Sequence, residues 1–204
     1  MNELLAFAQL GFRHIVDVEA MDHILFLVAL AAIYRFRDAR NALWVITAFT
    51  IGHSVTLALA VTGALNLPSA LIEFLIPVTI VITGIENLLV SDRTRAPWGG
   101  RYRPLFAGVF GLVHGAGFAN YLKALFVERI AVPLFGFNVG IELGQIVVLG
   151  AAALVLAVLD RLITTLRVTS DTSERWPVLR VRIVAVSVVV VGVGSLWAAQ
   201  RSPW

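Results

Sequence analysis

Apolar stretches dominate the chain, and the few polar residues inside them stand at regular helical intervals. Six stretches predict membrane-spanning helices at about 22–35, 42–63, 68–90, 105–122, 132–160 and 181–199, since about 20 apolar residues cross a hydrocarbon layer of about 30 Å. The first is short and begins at Asp22-His23, which predicts that this pair sits at its mouth. Ahead of it, residues 3–12 are apolar but too few to span, and Arg13, His14, Asp17 and Glu19 follow directly. This pattern predicts a short interfacial or re-entrant N-terminal helix. The expected fold is an all-α integral membrane protein, a six-transmembrane-helix bundle forming a single domain over 1–204.

The polar residues inside the spans carry the candidate chemistry. In the fifth span Asn138, Glu142 and Gln145 recur at i, i+4, i+7 and form one stripe, while Gly136, Gly140 and Gly144 mark the opposite side. Small residues at every fourth position let a neighbouring helix approach closely. A carboxylate near the middle of a span is costly and, by default, functional. The second span places Thr47, Thr50, His53 and Ser54 in one sector. The third carries Glu73 near one end, Pro77, a face of Thr79, Thr83 and Glu86, and then Asn87. The fourth sets His114 at mid-depth among Gly108, Gly111 and Gly115. Counted inward from the span ends, His53, His114 and Glu142 reach similar depths from three helices, which predicts one shared site. Imidazole and carboxylate ligands suit Ni²⁺, Co²⁺, Zn²⁺, Fe²⁺ or Mn²⁺ and disfavour Cu(I). Asp22 and His23 are expected to form an outer station of the same metal route, with His14, Glu73, Glu86, Asn87, Asn138 and Gln145 as supporting or pathway residues.

Composition agrees with a membrane assignment. The 204 residues are 59% hydrophobic and 14% charged, too apolar for an ordinary soluble domain. Mean hydropathy is +0.87. The net charge of +3 comes from arginines in loops, which predicts orientation in a bilayer and no nucleic-acid partner. Of 16 Lys and Arg residues, twelve fall on one side of the predicted topology and four on the other. The excess belongs in the cytoplasm, so both termini are expected outside it, in a bacterial-type inner membrane. The first ten residues show neither a basic start nor a cleavage-site pattern, so no secretory leader is expected. The absence of cysteine removes disulfides, thiolate metal sites and thiol nucleophiles.

Five motifs together resemble the HupE/UreJ membrane proteins, which are associated with hydrogenase and urease operons. They are Gly11-Phe-Arg-His14 with Asp22-His23-Ile-Leu-Phe26, Thr47 to Leu57 around His53, Glu86-Asn87, Val113-His-Gly-Ala-Gly-Phe118, and Phe137-Asn-Val-Gly-Ile-Glu-Leu-Gly-Gln145. The resemblance implies Ni²⁺ uptake for metalloenzyme assembly, with His14, Asp22, His23, His53, His114 and Glu142 carried over as the residues concerned. It also brings a metalloenzyme-assembly partner or a homo-oligomer into view. One departure stands out: Ile15 to Met21 separate His14 from Asp22, a longer spacing than in the nickel-permease pattern. The expected activity is transport of a divalent transition metal rather than catalysis. A membrane-embedded metal-dependent enzyme and a haem protein with His53 and His114 as axial ligands are the alternatives.

Overall fold

The computed structural model describes residues 2–35, 38–89, 100, 102–125, 130–168 and 177–204, including all their side chains except those of 19, 120–125 and 166–168. The stretches 36–37, 91–99 and 169–176, which hold part of the arginine asymmetry, lie outside the described residues, as do the side chains of Glu19 and Lys123. Among the described residues seven α-helices follow in order: α1 (Glu3–Val16), α2 (Met21–Ile33), α3 (Ala39–Val61), α4 (Ser69–Leu89), α5 (Arg103–Leu125), α6 (Ala131–Val168) and α7 (Val178–Gln200), with a 3-10 turn at Val18–Ala20. No strand occurs among the described residues. Asn2 caps α1 by accepting from the Leu4 amide at 3.4 Å. Gly63, at φ +77°, follows the last residues of α3 and turns the chain toward Pro68 and α4.

Helices α3, α4, α6 and α7 are each long and apolar enough to cross a membrane, and α2 is a shorter apolar helix. The surface has the polarity of a membrane protein. Trp44, Ile51, Val147, Leu154, Val189 and Leu196 are exposed, while His53, Asn87, His114, Gln145 and Ser187 are buried. Lipid can cover such an apolar belt, whereas a soluble monomer rarely exposes one.

Glycine sets how closely the helices approach. A Cβ at Gly140 would lie 1.9 Å from the Ala8 carbonyl oxygen, and one at Gly11 would lie 2.0 Å from that of Phe137. Gly136 meets Leu4, Gly140 meets Ala8 and Gly144 meets Phe12, so α1 runs parallel to the first half of α6. The expected short N-terminal helix is therefore present, and it lies along α6. Gly52, Gly111 and Gly115 join α3 to α5 in the same way, with Cβ positions 2.0, 2.1 and 2.3 Å from the carbonyl oxygens of Gly108, Phe49 and His53. Gly84 and Gly194 seat α4 against α7. The glycine stripe on α6 thus has the role its spacing predicts.

Arginines then fix the short α2. Its last turn leaves carbonyls without helical partners, and Arg182 of α7 donates to Ala32 O at 3.0 Å and Tyr34 O at 3.2 Å while pairing with Asp160 at 2.7 Å. At the other end, Arg201 pairs with Asp22 at 2.9 Å. In between, Asn87 of α4 donates to Ala29 O at 2.7 Å. A helix of 13 residues is marginal by itself, and here α4 and α7 hold it in place. The position of α2 matters because the break between α1 and α2 lies where the histidines meet.

Candidate metal centre

All four histidines of the chain converge from four helices. His14 ends α1, His23 begins α2, and His53 and His114 lie within α3 and α5. The His14 and His23 rings are 4.9 Å apart, and His23 is 5.2 Å from His114 and 6.3 Å from His53. His14 and His53 are 6.4 Å apart. One ring nitrogen from each of His14, His23 and His53 lies within 4.8 Å of the others. A metal 2.0–2.1 Å from each imidazole nitrogen holds its donors at most about 4.2 Å apart, so the three rings would draw closer on binding it.

Local structure explains this convergence. The seven residues between His14 and Asp22 hold the end of α1, the 3-10 turn and the start of α2. The longer spacing therefore folds into a break that brings His14 and His23 together. Phe118 and Phe137 stack at 5.3 Å to wall one side, with the His14 ring 4.0 Å from Phe118. Phe26 and Phe49 stack at 5.0 Å on another side, and Phe49 lies 5.1 Å from His114.

The electrostatics favour a Lewis acid. His14 Nε2, His23 Nε2, both ring nitrogens of His53 and His114 Nδ1 are buried without a hydrogen-bond partner. Such unpaired groups cost about 1–3 kcal/mol each, and a bound cation would satisfy them. The other nitrogen of His114 has a partner: Nε2 lies 3.0 Å from Thr79 Oγ1, which donates to the Ile76 carbonyl at 2.7 Å.

The other candidates meet partners of their own, and some of them border this cluster. His23 is buried in it, only 8% exposed, and is not at a separate mouth. Asp22 pairs with Arg201. Glu142 accepts from Thr47 at 2.6 Å, and Gln145 accepts from Thr50 at 3.0 Å. Thr47 precedes His53 by six residues, about 9 Å along a helix, so Glu142 meets α3 away from the histidine group and is not part of its donor set. The stripes on α3 and α6 pair with each other instead. Asn138 keeps a buried Oδ1 without a partner. Glu86 is held by Arg103 at 2.5 Å and by the Tyr102 hydroxyl, and Asn87 accepts from Arg103 at 3.4 Å. Burial and the hydrogen bond to Glu86 push the Tyr102 hydroxyl above the usual phenol range.

The ion pair at Glu86 gives one stability prediction. Arg103→Met removes the cation and leaves a carboxylate that is 21% exposed. Breaking a buried pair from one side costs about 3–5 kcal/mol, and partial exposure puts the loss near about 3. A thermal melt in detergent should show it, with Glu86→Gln in the same background recovering most of the loss. An unchanged melting temperature for Arg103→Met would contradict this role.

A cavity of about 520 Å³ opens beside the cluster, lined by Asp17, Asp22, Glu73, His14, His23 and His114 among others. Three carboxylates and two arginines, Arg13 and Arg201, thus share a vestibule with three of the histidines. Of the residues that the sequence singles out, Glu142 contacts Thr47, Asp22 pairs with Arg201, and His23 lies in the cluster itself. The one underweighted is Thr79, placed on a face with Glu86 although it bonds His114. No single-helix signal points to that contact, because it depends on how α4 and α5 cross.

A family model described as HupE / UreJ protein matches residues 1–201. Neither a curated protein nor a solved structure matches the chain. With the match running nearly from end to end, the chain belongs to the HupE / UreJ family.

Proposed function

We propose that this protein is a permease for a divalent transition metal, with Ni²⁺ the favoured substrate and Co²⁺, Zn²⁺, Fe²⁺ and Mn²⁺ the competitors. The family's association with nickel or cobalt transport or maturation supports the reading. The observation that carries it is that one ring nitrogen from each of His14, His23 and His53 lies within 4.8 Å of the others, in a cluster where five buried imidazole nitrogens lack a hydrogen-bond partner. In this reading α2 to α7 are six spans, with α1 alongside α6. Both termini are outside the cytoplasm, and the vestibule faces outward, where Asp17 and Glu73 offer carboxylates to an arriving cation and Asp22 is held by Arg201. The ion moves from the carboxylates to His14, His23 and His53, then to His114. The Phe26–Phe49 stack stands between that position and the small chamber lined by Thr83, Glu86 and Arg103. An inward-negative potential of about 100 mV supplies about 4.6 kcal/mol for a doubly charged ion, from about 2.3 per charge.

Purified protein in liposomes should accumulate radioactive nickel when an inside-negative potential is imposed, and excess Co²⁺ should compete. Accumulation no greater than in empty liposomes would overturn the proposal. The orientation has its own test. A reporter active only in the cytoplasm should be silent after Trp204, and strong signal there would overturn the outward placement of the C-terminus.

A further inference from the structure

The hydrogen bonds around His114 carry a conclusion about which of its nitrogens can act. Thr79 has one hydroxyl proton, and its Oγ1 lies 2.7 Å from the Ile76 carbonyl, which can only accept. That proton is committed. The remaining contact, 3.0 Å to His114 Nε2, is satisfied only when the ring nitrogen donates. Nε2 therefore carries the proton, and Nδ1 holds the lone pair in the neutral ring. Nδ1 is the nitrogen buried without a partner, on a ring 5.2 Å from His23 and 5.1 Å from Phe49.

From this chain we infer that Thr79 is a positioning residue that locks His114 in the Nε2–H tautomer and so presents Nδ1 as a further nitrogen donor to a divalent metal leaving the His14–His23–His53 group. The inference rests on reading the histidines as a metal site. Thr79 acts through the imidazole: its hydroxyl relays the Ile76 carbonyl to Nε2, as a fixed acceptor does for a metal-bound histidine. Ile76 directly precedes Pro77 inside α4, and Thr79 is buried, so water does not compete for the hydroxyl. The donors are then all nitrogen. Such a set suits a borderline ion such as Ni²⁺, Co²⁺ or Zn²⁺ better than Mg²⁺ or Ca²⁺.

The test uses the full-length protein in detergent. Imidazole nitrogen NMR of the metal-free protein, with the His114 signal assigned by its loss in His114→Asn, should show the proton on Nε2. A proton on Nδ1 would overturn the inference without any further variant. Thr79→Val keeps the shape and removes the hydroxyl. It should populate the other tautomer and weaken Ni²⁺ binding, titrated as the chloride, by about 10-fold, and Thr79→Ser should restore both. Thr79→Val with wild-type tautomer and wild-type Ni²⁺ affinity would overturn it, as would a shifted tautomer at unchanged affinity. The permease reading fails separately: if wild-type protein binds no Ni²⁺ while Thr79→Val still shifts the tautomer, the positioning role stands and the metal assignment falls.

Discussion

Gly140→Ala should separate α1 from α6 and disperse the histidine cluster, although it adds one methyl group. The new Cβ would lie 1.9 Å from the Ala8 carbonyl oxygen and 2.7 Å from the Phe12 amide nitrogen. Both are backbone atoms that no rotamer change can move. The helices must part by more than an ångström, and α1 carries His14. Overpacking costs about 1–3 kcal/mol in ordinary cores and occasionally more; rigid backbone on both sides puts this case at the upper end. Alanine's helix advantage over glycine, about 1 kcal/mol, offsets only part of that. Gly150→Ala is the matched control on the same helix, since a Cβ there meets nothing within 4 Å. Its melting temperature should equal or slightly exceed that of wild type, whereas Gly140→Ala should melt markedly lower and lose metal binding. Equal melting temperatures for the two variants would mean that the α1–α6 approach is looser than described.

His23→Ala should cost more metal affinity than loss of any other single side chain. Its ring is the one within 6.3 Å of all three other histidines, so its removal opens both the trio with His14 and His53 and the step to His114. Losing an outer hydrogen-bond partner of a metal ligand costs about 10–100-fold, and losing a ligand should exceed that range. Glu142→Gln should leave Ni²⁺ affinity near wild type, because Glu142 is engaged by Thr47 outside the cluster. Calorimetric titration of both variants with Ni²⁺ separates the cases. A Glu142→Gln defect larger than that of His23→Ala would return the carboxylate to the centre of the site.

The contrast between these two residues shows what was legible in the sequence. Helical periodicity made the Gly136–Gly140–Gly144 stripe readable as a packing face, because a helix presents every fourth residue on one side whatever lies across from it. Periodicity also paired Glu142 with Gln145 correctly. It could not say that their partners were Thr47 and Thr50 rather than His53, since residues six apart on α3 lie about 9 Å from each other and only the crossing point decides which one α6 meets. Depth counting had the same weakness: it set His53, His114 and Glu142 at one level, but level alone does not say which neighbours each one meets, and Glu142 meets Thr47. In the sequence the arginines at helix ends read only as an orientation signal. Their second task, holding Asp22, Asp160, Glu86 and the last carbonyls of α2, depends on contacts between segments about 20 to 180 residues apart in the chain. The long spacing between His14 and Asp22 is a departure from a ligand motif in the sequence, and in the structure it holds the 3-10 turn that breaks α1 from α2 beside the two histidines.

X-ray absorption at the nickel edge, on purified protein loaded with one equivalent of Ni²⁺, tests the central claim most directly. The account predicts a first shell of nitrogen with the outer-shell pattern of two or more imidazoles, lost in His23→Ala and retained in Glu142→Gln. A first shell of oxygen alone, or an imidazole pattern untouched by His23→Ala, would contradict it.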